Sequence, residues 1–276
     1  MISLRRCIEL LARGKILTRR IQVNGKKYPI IVSPDAQLKY FKSKAFGEFD
    51  KDLINIAQIF VQEDSIVWDI GANVGVFTFA SSIIAKHGKI VSVEPDNWLV
   101  GVLRKTQKIE PYCDRDIKIV TAAISENNGI ATFHIANRGR ASNSLELAGG
   151  RSQMGGIREK QYVPTITMDS MLSSLSDPPD FVKVDVEGAE AMVIEGGTKV
   201  VQEARPIFYI EVSQKTRKAI VSKLEKEDYR IYSDLNEELN NIFVVPADKS
   251  ATFENTIKNK ASLSDINIVP MQNNTE

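Results

Sequence analysis

Two acidic residues stand on either side of a glycine-containing turn in the first third of the chain. Asp69 ends a short apolar run, the turn GANVG begins at Gly71, and Glu94 ends the next apolar run. Glycines leave the backbone of a turn open to the close approach of a ligand. A carboxylate at the end of the second strand of such a unit can accept the hydroxyls of a ribose. The spacing therefore predicts a nucleotide site over the strand ends.

The residues of this turn distinguish between nucleotides. A dinucleotide site needs G-x-G-x-x-G, whereas here Asn73 replaces the middle glycine and the third glycine is missing. The carboxylate of Asp69 would repel a pyrophosphate, but it suits a ligand that carries an ammonium and a sulfonium. We therefore predict S-adenosylmethionine as the cofactor, and we disfavour a nicotinamide dinucleotide. The glycines alone leave open a doubly wound domain with some other ligand.

A second acidic group follows a strand that the sequence predicts over residues 181–186. Asp185 and Glu187 lie at its carboxyl end, where ligands bind in parallel sheets. Two residues apart on extended backbone, their side chains would point the same way. One of them could then act as a base on a hydroxyl, which accelerates a reaction by roughly 10²–10⁴-fold. With Glu211 they could instead hold Mg²⁺, or Glu187 could simply cap the next helix.

Hydrophobic periodicity predicts the elements that position these residues. Seven core strands are predicted at residues 66–69, 89–93, 117–124, 181–186, 207–210, 229–232 and 242–245, with helices between the first five. This order predicts an α/β fold with a seven-stranded, mostly parallel sheet whose last strand is antiparallel. Residues 130–135 are predicted to form a hairpin with the third strand. Residues 137–160 lack periodicity and predict a long loop, either a lid or a loose surface segment.

The sequence divides into three predicted parts. Residues 1–49 form a helix and a hairpin around Asn24-Gly25, residues 50–246 form the cofactor-binding domain, and residues 247–276 form a loosely held polar tail. Residues 1–27 contain eight lysines and arginines and one acid, Glu9. Such a segment indicates either attachment to an anionic surface or partner, or the solvated face of a small helix and hairpin.

Composition narrows the class of protein. A chain of 276 residues that is 43% hydrophobic can bury one core with some decoration. Its net charge of +1 gives no overall attraction to nucleic acid or membranes. Cys7 and Cys113 form no metal or redox spacing, which fits a reducing compartment. The amino-terminal residues do not form a signal peptide, and no apolar stretch has the length of a membrane span. We therefore expect a cytoplasmic protein.

The motifs together resemble the FkbM family of S-adenosylmethionine-dependent methyltransferases, which has the class I Rossmann-like fold. The resemblance begins near Gly47 and runs through VWDIGANVGVFT, VEPD, TITMD, DFVKVDVEGAEAMVIEGG and PIFYIEVS. Its most particular part is the K-x-D-x-E-G-A-E segment from Lys183 to Glu190. It implies O-methylation of a hydroxyl on a sugar, a glycan or a natural product.

The resemblance also implies a role for individual positions. The methionine end of the cofactor would lie against Asp69, Gly71, Ala72, Asn73 and Gly75, the ribose against Glu94 and Pro95, and the adenine against Ala122 and Ala123. Asp185, Glu187 and Glu211 would face the methyl-transfer cleft, with Asp185 also touching the cofactor. Asn143 and Ser144 match an N-S-L element of the family, and with Arg138 and Arg140 they are predicted to bind the acceptor. The catalytic role of a metal stays open.

Two other classes of function compete with this interpretation. A non-catalytic module that only binds S-adenosylmethionine would keep the same turn and the same ribose acid. A methyltransferase acting on nucleic acid or protein would use the same fold, but the segment after Lys183 lacks the aromatic-and-proline pattern of base-modifying enzymes. We therefore predict a small-molecule or glycan acceptor and no nucleic-acid partner.

Overall fold

The computed structural model describes residues 3–41, 50–148, 155–234, 241–260 and 268–271. The helices are α1 (Leu4–Ala12), α2 (Lys51–Phe60), α3 (Val76–Ile84), α4 (Asn97–Gln107), α5 (Met168–Leu175), α6 (Glu190–Glu195), α7 (Gln214–Lys226) and α8 (Ser250–Lys260). The strands are β1 (Leu17–Val23), β2 (Lys26–Val32), β3 (Ile66–Ile70), β4 (Lys89–Val93), β5 (Ile117–Val120), β6 (Ala123–Ile124), β7 (Gly129–Ala136), β8 (Ser144–Leu145), β9 (Ile157–Ile166), β10 (Phe181–Val184), β11 (Ile207–Glu211), β12 (Tyr229–Asp234), β13 (Asn241–Pro246) and β14 (Ile268–Pro270). Gly47, where the resemblance begins, lies outside the described residues.

The central sheet has eight strands in the order β14-β12-β13-β11-β10-β3-β4-β5. The five strands from β11 to β5 are parallel, and β13 runs antiparallel to β11, as the sequence predicts. The predicted count of seven is wrong by one, because β14 adds an antiparallel edge strand beside β12. The α/β class is confirmed.

Apolar residues cover both faces of this sheet, so the domain is a three-layer sandwich. On β3, Val67 packs with residues of α2, α3, α4 and α8, while its neighbour Trp68 packs with residues of α5, α6 and α7. Successive side chains of a strand point to opposite faces. Because both faces of this sheet are covered, apolar residues fill most positions of these strands and not only every second one. The parallel strands all end at one edge of the sheet, and this edge carries the candidate site.

The chain after residue 246 is not a loosely held tail where the structure describes it. Phe253 of α8 is buried, and its ring stacks on Phe60 of α2 at 4.9 Å between centroids. The ammonium of Lys260 donates to two carbonyl oxygens at the end of α2. The prediction failed because the scattered apolar residues of this segment fall on one helical face, where they cover the edge of the core.

The predicted hairpin between the third strand and residues 130–135 is also wrong. The third strand breaks after Val120, and β7 pairs along its length with β9 in a second sheet of order β6-β9-β7-β8. The described part of residues 137–160 is ordered as a helical turn at Arg140–Ser142, the short strand β8 and the start of β9. Residues 149–154 of this predicted loop lie outside the described ranges.

The predicted amino-terminal helix and hairpin are confirmed. Strands β1 and β2 pair in antiparallel register, and Asn24 and Gly25 form the turn with positive φ angles of 48° and 76°. Ile21 and Ile30 of this hairpin are fully buried and pack in the same cluster as α3 and α4. The extension is therefore part of the core on one face of the central sheet.

Candidate active site

A cleft lies at the carboxyl ends of β3, β4 and β10, where ligands bind in parallel sheets. Ten residues predicted from the sequence line it: Gly71, Asn73, Glu94, Pro95, Ala122, Ala123, Arg140, Asn143, Asp185 and Glu187. Its apolar wall includes Leu99, Ile124, Phe133 and Leu145. The cleft therefore combines apolar side chains, which a flat aromatic base requires, with polar groups.

The glycine turn between β3 and α3 is held against both neighbouring strands. The backbone N–H of Gly71 donates to Val93 of β4, and that of Asp185 donates to Ile70 of β3. A Cβ atom on Gly71 would lie 1.8 Å from the carbonyl oxygen of Asp185, and its φ of +79° also favours glycine. Glycine is therefore required at position 71 for the two strand ends to meet.

Asn73 presents an unused acceptor at the centre of this turn. Its φ of +56° places it in the left-handed region, which asparagine tolerates better than most residues. Its side-chain oxygen Oδ1 is buried and accepts no hydrogen bond in the described part of the chain. A buried acceptor left without a donor costs free energy, so this atom fits a ligand that brings a donor, such as an ammonium.

Glu94 occupies the end of β4 in an environment that favours its protonated form. The side chain is buried, and its two oxygens accept the backbone N–H groups of Asn73 at 2.8 Å and Asp96 at 2.9 Å. The pKa of Glu94 is raised to about 8, mainly by burial and also by the charge of Asp96, although the two backbone hydrogen bonds and the charge of Lys183 oppose the increase. The carboxyl group is thus fixed in position at the cleft wall.

Asp69 lies beneath the cleft instead of in its wall, which differs from the predicted contact with the methionine end. Its carboxylate is fully buried, and it accepts hydrogen bonds from the backbone and hydroxyl of Thr78 and from Lys183 Nζ. Because Thr78 lies in the first turn of α3 and Lys183 lies in β10, the carboxylate connects these two elements. The carboxylate that the sequence suggests for binding an ammonium is therefore already paired within the protein.

Lys183 is a site residue that the sequence analysis did not single out. Its buried ammonium lies 3.1 Å from Asp69 Oδ1, 3.1 Å from the carbonyl oxygen of Gly71 and 3.6 Å from Asp185 Oδ2. Burial alone would lower the pKa of Lys183, but the charges of Asp69 and Asp185 raise it above its usual value. The signal available in the sequence was a single lysine inside an otherwise apolar strand.

The two acids after β10 share the cleft, although not for the predicted reason. The strand ends at Val184, and Glu187 has a left-handed φ of +53°, so the segment is a turn and not extended backbone. Asp185 and Glu187 both line the cleft. Glu190, by contrast, is fully buried and its Oε1 accepts the N–H of Gly188. Glu190 therefore stabilises the turn that holds the other two.

The predicted metal alternative finds no support in the arrangement of donors. Within the described ranges, no three His, Cys, Asp or Glu side chains converge as a metal site. Glu211 ends β11 and does not line the cleft. The three carboxylates of the predicted Mg²⁺ set are thus not gathered around one point.

Arg140 is held in a buried network at the rim of the cleft. Its Nε lies 3.0 Å from Asp35 and its Nη1 lies 2.5 Å from Asp96, and the guanidinium stacks over Trp98 at 4.8 Å. Asn143 also donates to Asp96, at 2.8 Å. Burial alone would lower the pKa of Arg140, but the two carboxylates raise it. The network joins the amino-terminal extension, the segment after β4 and the second sheet.

Besides Asp69 and Glu211, four further predicted residues lie outside this cleft. Ser144 is fully buried in β8, and Arg138 is partly exposed with its Nε 3.8 Å from Glu9. Gly75 begins α3 with a φ of +87° against Leu103. Ala72 lines a second cavity, which also contains Tyr40 and Asp50 and which shares Gly71, Asn73 and Asp185 with the cleft. The amino-terminal extension, through Tyr40, therefore lines a cavity that adjoins the cleft.

Comparison with known proteins identifies the family. Residues 69–231 match the family model described as the methyltransferase FkbM domain. The chain is 24% identical over 179 residues to the hexuronic acid methyltransferase AglP of Haloferax volcanii, covering 64% of this chain and 68% of that protein. It is 26% identical over 163 residues to the 2-O-methyltransferase NoeI of Sinorhizobium fredii, covering 55% of this chain and 65% of that protein.

A solved structure gives a weaker likeness. The crystal structure of a methyltransferase FkbM from Methylobacillus flagellatus KT is 15% identical, with a TM-score of 0.48, and the match covers 66% of this chain and 44% of that one. The chain thus spans about two thirds of the two curated relatives and less than half of this solved chain. Because the family model matches more than half of its residues, the chain belongs to the FkbM methyltransferase domain family.

Proposed function

We propose that the chain transfers the methyl group of S-adenosylmethionine to a hydroxyl of a sugar or glycan. The observation that carries this proposal is the cleft, whose lining contains Glu94, the unpaired acceptor of Asn73 and the two acids Asp185 and Glu187. Family membership supports the reaction, and the names of the two relatives, a hexuronic acid methyltransferase and a 2-O-methyltransferase, support a sugar hydroxyl as the acceptor.

The residues of the cleft fit each part of the proposed cofactor. Asn73 Oδ1 would accept a hydrogen bond from the ammonium, Glu94 would bind the ribose hydroxyls, and the apolar wall beside Ala122 and Ala123 would hold the adenine. When bound, S-adenosylmethionine supplies a methyl group on a positively charged sulfonium. The protein contributes mainly by holding donor and acceptor in line within a cleft from which water is excluded.

The acids at the end of β10 would act on the acceptor. A neutral hydroxyl is a poor nucleophile, so its proton must pass to a base as the new O–C bond forms. The carboxylate of Asp185 or Glu187 would take this proton, and Lys183 would hold Asp185 in place.

The cysteines support a location for the protein. Cys7 and Cys113 are both unpaired and exposed, which fits a reducing compartment such as the cytoplasm.

Replacing Glu94 by Gln should lower the affinity for S-adenosylhomocysteine about ten- to a hundredfold. A charge-assisted hydrogen bond to the ribose contributes roughly 1.5–3 kcal/mol, and the amide keeps only one acceptor oxygen. Isothermal titration calorimetry measures the change. Glu63→Gln, an equivalent change at an exposed acid outside the cleft, should leave the affinity unchanged. Unchanged affinity in Glu94→Gln would mean that Glu94 does not bind the ribose.

The affinity of the chain for the adenosine part of the cofactor should also rise with pH. Glu94 has a pKa of about 8 in the free chain, and ribose hydroxyls that donate to it favour the ionised form, so its pKa falls in the complex. Between the two values the affinity should increase by up to about tenfold per pH unit and level off above pH 8. The probe is 5′-methylthioadenosine, which lacks the titrating ammonium. Glu94→Gln should flatten the profile; a flat profile in the wild type would contradict the proposal.

A further inference from the structure

Helix α1 packs against the protein through its polar side. Glu9 is almost fully buried and is paired with Arg5 and Arg6 of the same helix. Arg6 also donates to the backbone oxygen of Asn137 at 2.9 Å and to its side-chain oxygen at 2.7 Å. Arg138 lies 3.8 Å from Glu9. Charged and amide groups therefore hold this helix in place.

The apolar side of the same helix faces solvent. Leu4, Ile8 and Leu11 recur at intervals of four and three residues, which places them on one helical face. Their exposed fractions are 79%, 37% and 66%. A surface helix normally turns such a face towards the core. Here the orientation is reversed, so the apolar stripe of Leu4, Ile8 and Leu11 needs a partner outside the described part of the chain.

The surroundings of the apolar stripe are basic. Of the eight lysines and arginines in residues 1–27, Arg5, Arg13 and Lys15 are exposed on α1 or directly after it, whereas Lys26 and Lys27 lie at the turn of the hairpin, at the far end of β1. The one acid of this segment, Glu9, is buried. Because the whole chain has a net charge of only +1, the rest of the molecule is net acidic and positive charge is concentrated at this end.

We propose that α1 binds in the surface of an anionic lipid bilayer. Leu4, Ile8 and Leu11 would enter the boundary between headgroups and acyl chains, while the exposed cations near them attract the negative headgroups. A second copy of this chain is a poorer partner, since two such faces would bring two basic segments together. No helix in the described ranges is long and apolar enough to cross a bilayer, so the proposed attachment is peripheral.

The residues that hold α1 are close in sequence to residues of the candidate active site. Asn137 and Arg138, which hold α1, directly precede the segment in which Arg140 and Asn143 line the cleft. Gly14, just after the helix, donates to Asp35, the partner of Arg140. Attachment through α1 would therefore orient the rim of the cleft relative to the membrane, whatever acceptor the enzyme uses.

Vesicle sedimentation tests this proposal with the full chain. The protein should sediment with vesicles of phosphatidylcholine mixed with phosphatidylglycerol, should bind phosphatidylcholine alone much more weakly, and should be released as salt screens the charges. Leu4→Glu should lower the partition coefficient about ten- to a hundredfold, as expected when a leucine side chain is no longer buried. The matched control is Ile130→Glu, because Ile130 is equally exposed, at 78%, on the second sheet. The control should bind like the wild type.

Each other outcome would overturn the proposal. Equal losses in Leu4→Glu and Ile130→Glu would assign the effect to net charge and not to the apolar stripe. If the protein binds neither kind of vesicle, or binds both kinds equally, an anionic bilayer is not the partner of the apolar stripe. If the wild type does not bind vesicles but forms a dimer in sedimentation velocity, and Leu4→Glu dissociates this dimer, the partner is a second copy of the chain. Unchanged calorimetric affinity for S-adenosylhomocysteine verifies that both variants are folded.

Discussion

Replacing Asp185 by Asn, or Glu187 by Gln, is expected to lower kcat by roughly 10²–10⁴-fold for whichever carboxylate serves as the base. Both side chains line the cleft, and both substitutions remove the charge while keeping the shape. The loss should appear in kcat at saturating acceptor, because the base acts in the transition state and not in binding. Release of S-adenosylhomocysteine measures turnover, and calorimetry should show a nearly unchanged affinity for it.

Two controls define what this result means. Glu195→Gln changes an exposed acid on the same segment, paired with Lys223 at the surface, and should leave kcat unchanged. Adding a chelator to the wild type should also leave kcat unchanged, because no set of three donors converges within the described residues. If Asp185→Asn and Glu187→Gln both keep near-normal turnover, the two acids are structural; the alternative that Glu187 caps the next helix is wrong, because α6 begins at Glu190 and its N-cap is Ala189.

The turnover assay requires an acceptor, and the two relatives suggest where to begin. Their names specify a hexuronic acid and a 2-hydroxyl, so the first panel should contain glycans with uronic acids and with free 2-hydroxyls. Mass spectrometry of extracts incubated with isotope-labelled methyl donor extends the search beyond sugars. Transfer of label to nucleic acid or protein, with none to carbohydrate, would replace the sugar proposal with one of the competing interpretations.

Replacing Arg140 by Met should lower the free energy of unfolding by about 3–5 kcal/mol. Removing the guanidinium leaves Asp96 fully buried without its main countercharge, and the penalty for an uncompensated buried charge has this size. Asp35 keeps Arg158, at 2.9 Å, and is therefore less affected. Burial alone would raise the pKa of Asp35, but the two arginines hold it below its usual value. Urea denaturation measures the loss.

Arg138→Met is the matched control for this substitution. The side chain of Arg138 is 46% exposed, and its Nε lies as far as 3.8 Å from Glu9 Oε1. Exposed ion pairs contribute about 0–1 kcal/mol to the free energy of unfolding. Arg140→Lys should recover only part of the stability, because lysine cannot bridge two carboxylates with the planar fork of arginine. Equal small losses in Arg138→Met and Arg140→Met would show that the network adds little, and that Arg140 is free to bind the acceptor as the sequence suggests.

Local sequence patterns were enough to predict the backbone around the site. The turn from Gly71 to Gly75, with Glu94 at the end of the next strand, predicted the cleft, because glycine conformation and strand spacing are local properties. Asp185 and Glu187 were also found from the sequence, since parallel strands end at one edge of a sheet. Local patterns likewise predicted the hairpin around Asn24-Gly25 and the α/β class.

Which charged groups line the cleft, and which ones support it from below the surface, could be seen only in the folded chain. Asp69 and Arg140 had the residue types expected of ligand contacts, but Asp69 pairs with Lys183, 114 residues away, and Arg140 pairs with Asp35, 105 residues away. The partners of a buried charge are chosen by packing between distant segments, and no local periodicity records that choice. The same reason explains why α8 joins the core, and why α1 exposes the apolar face that its pattern alone would assign to the interior.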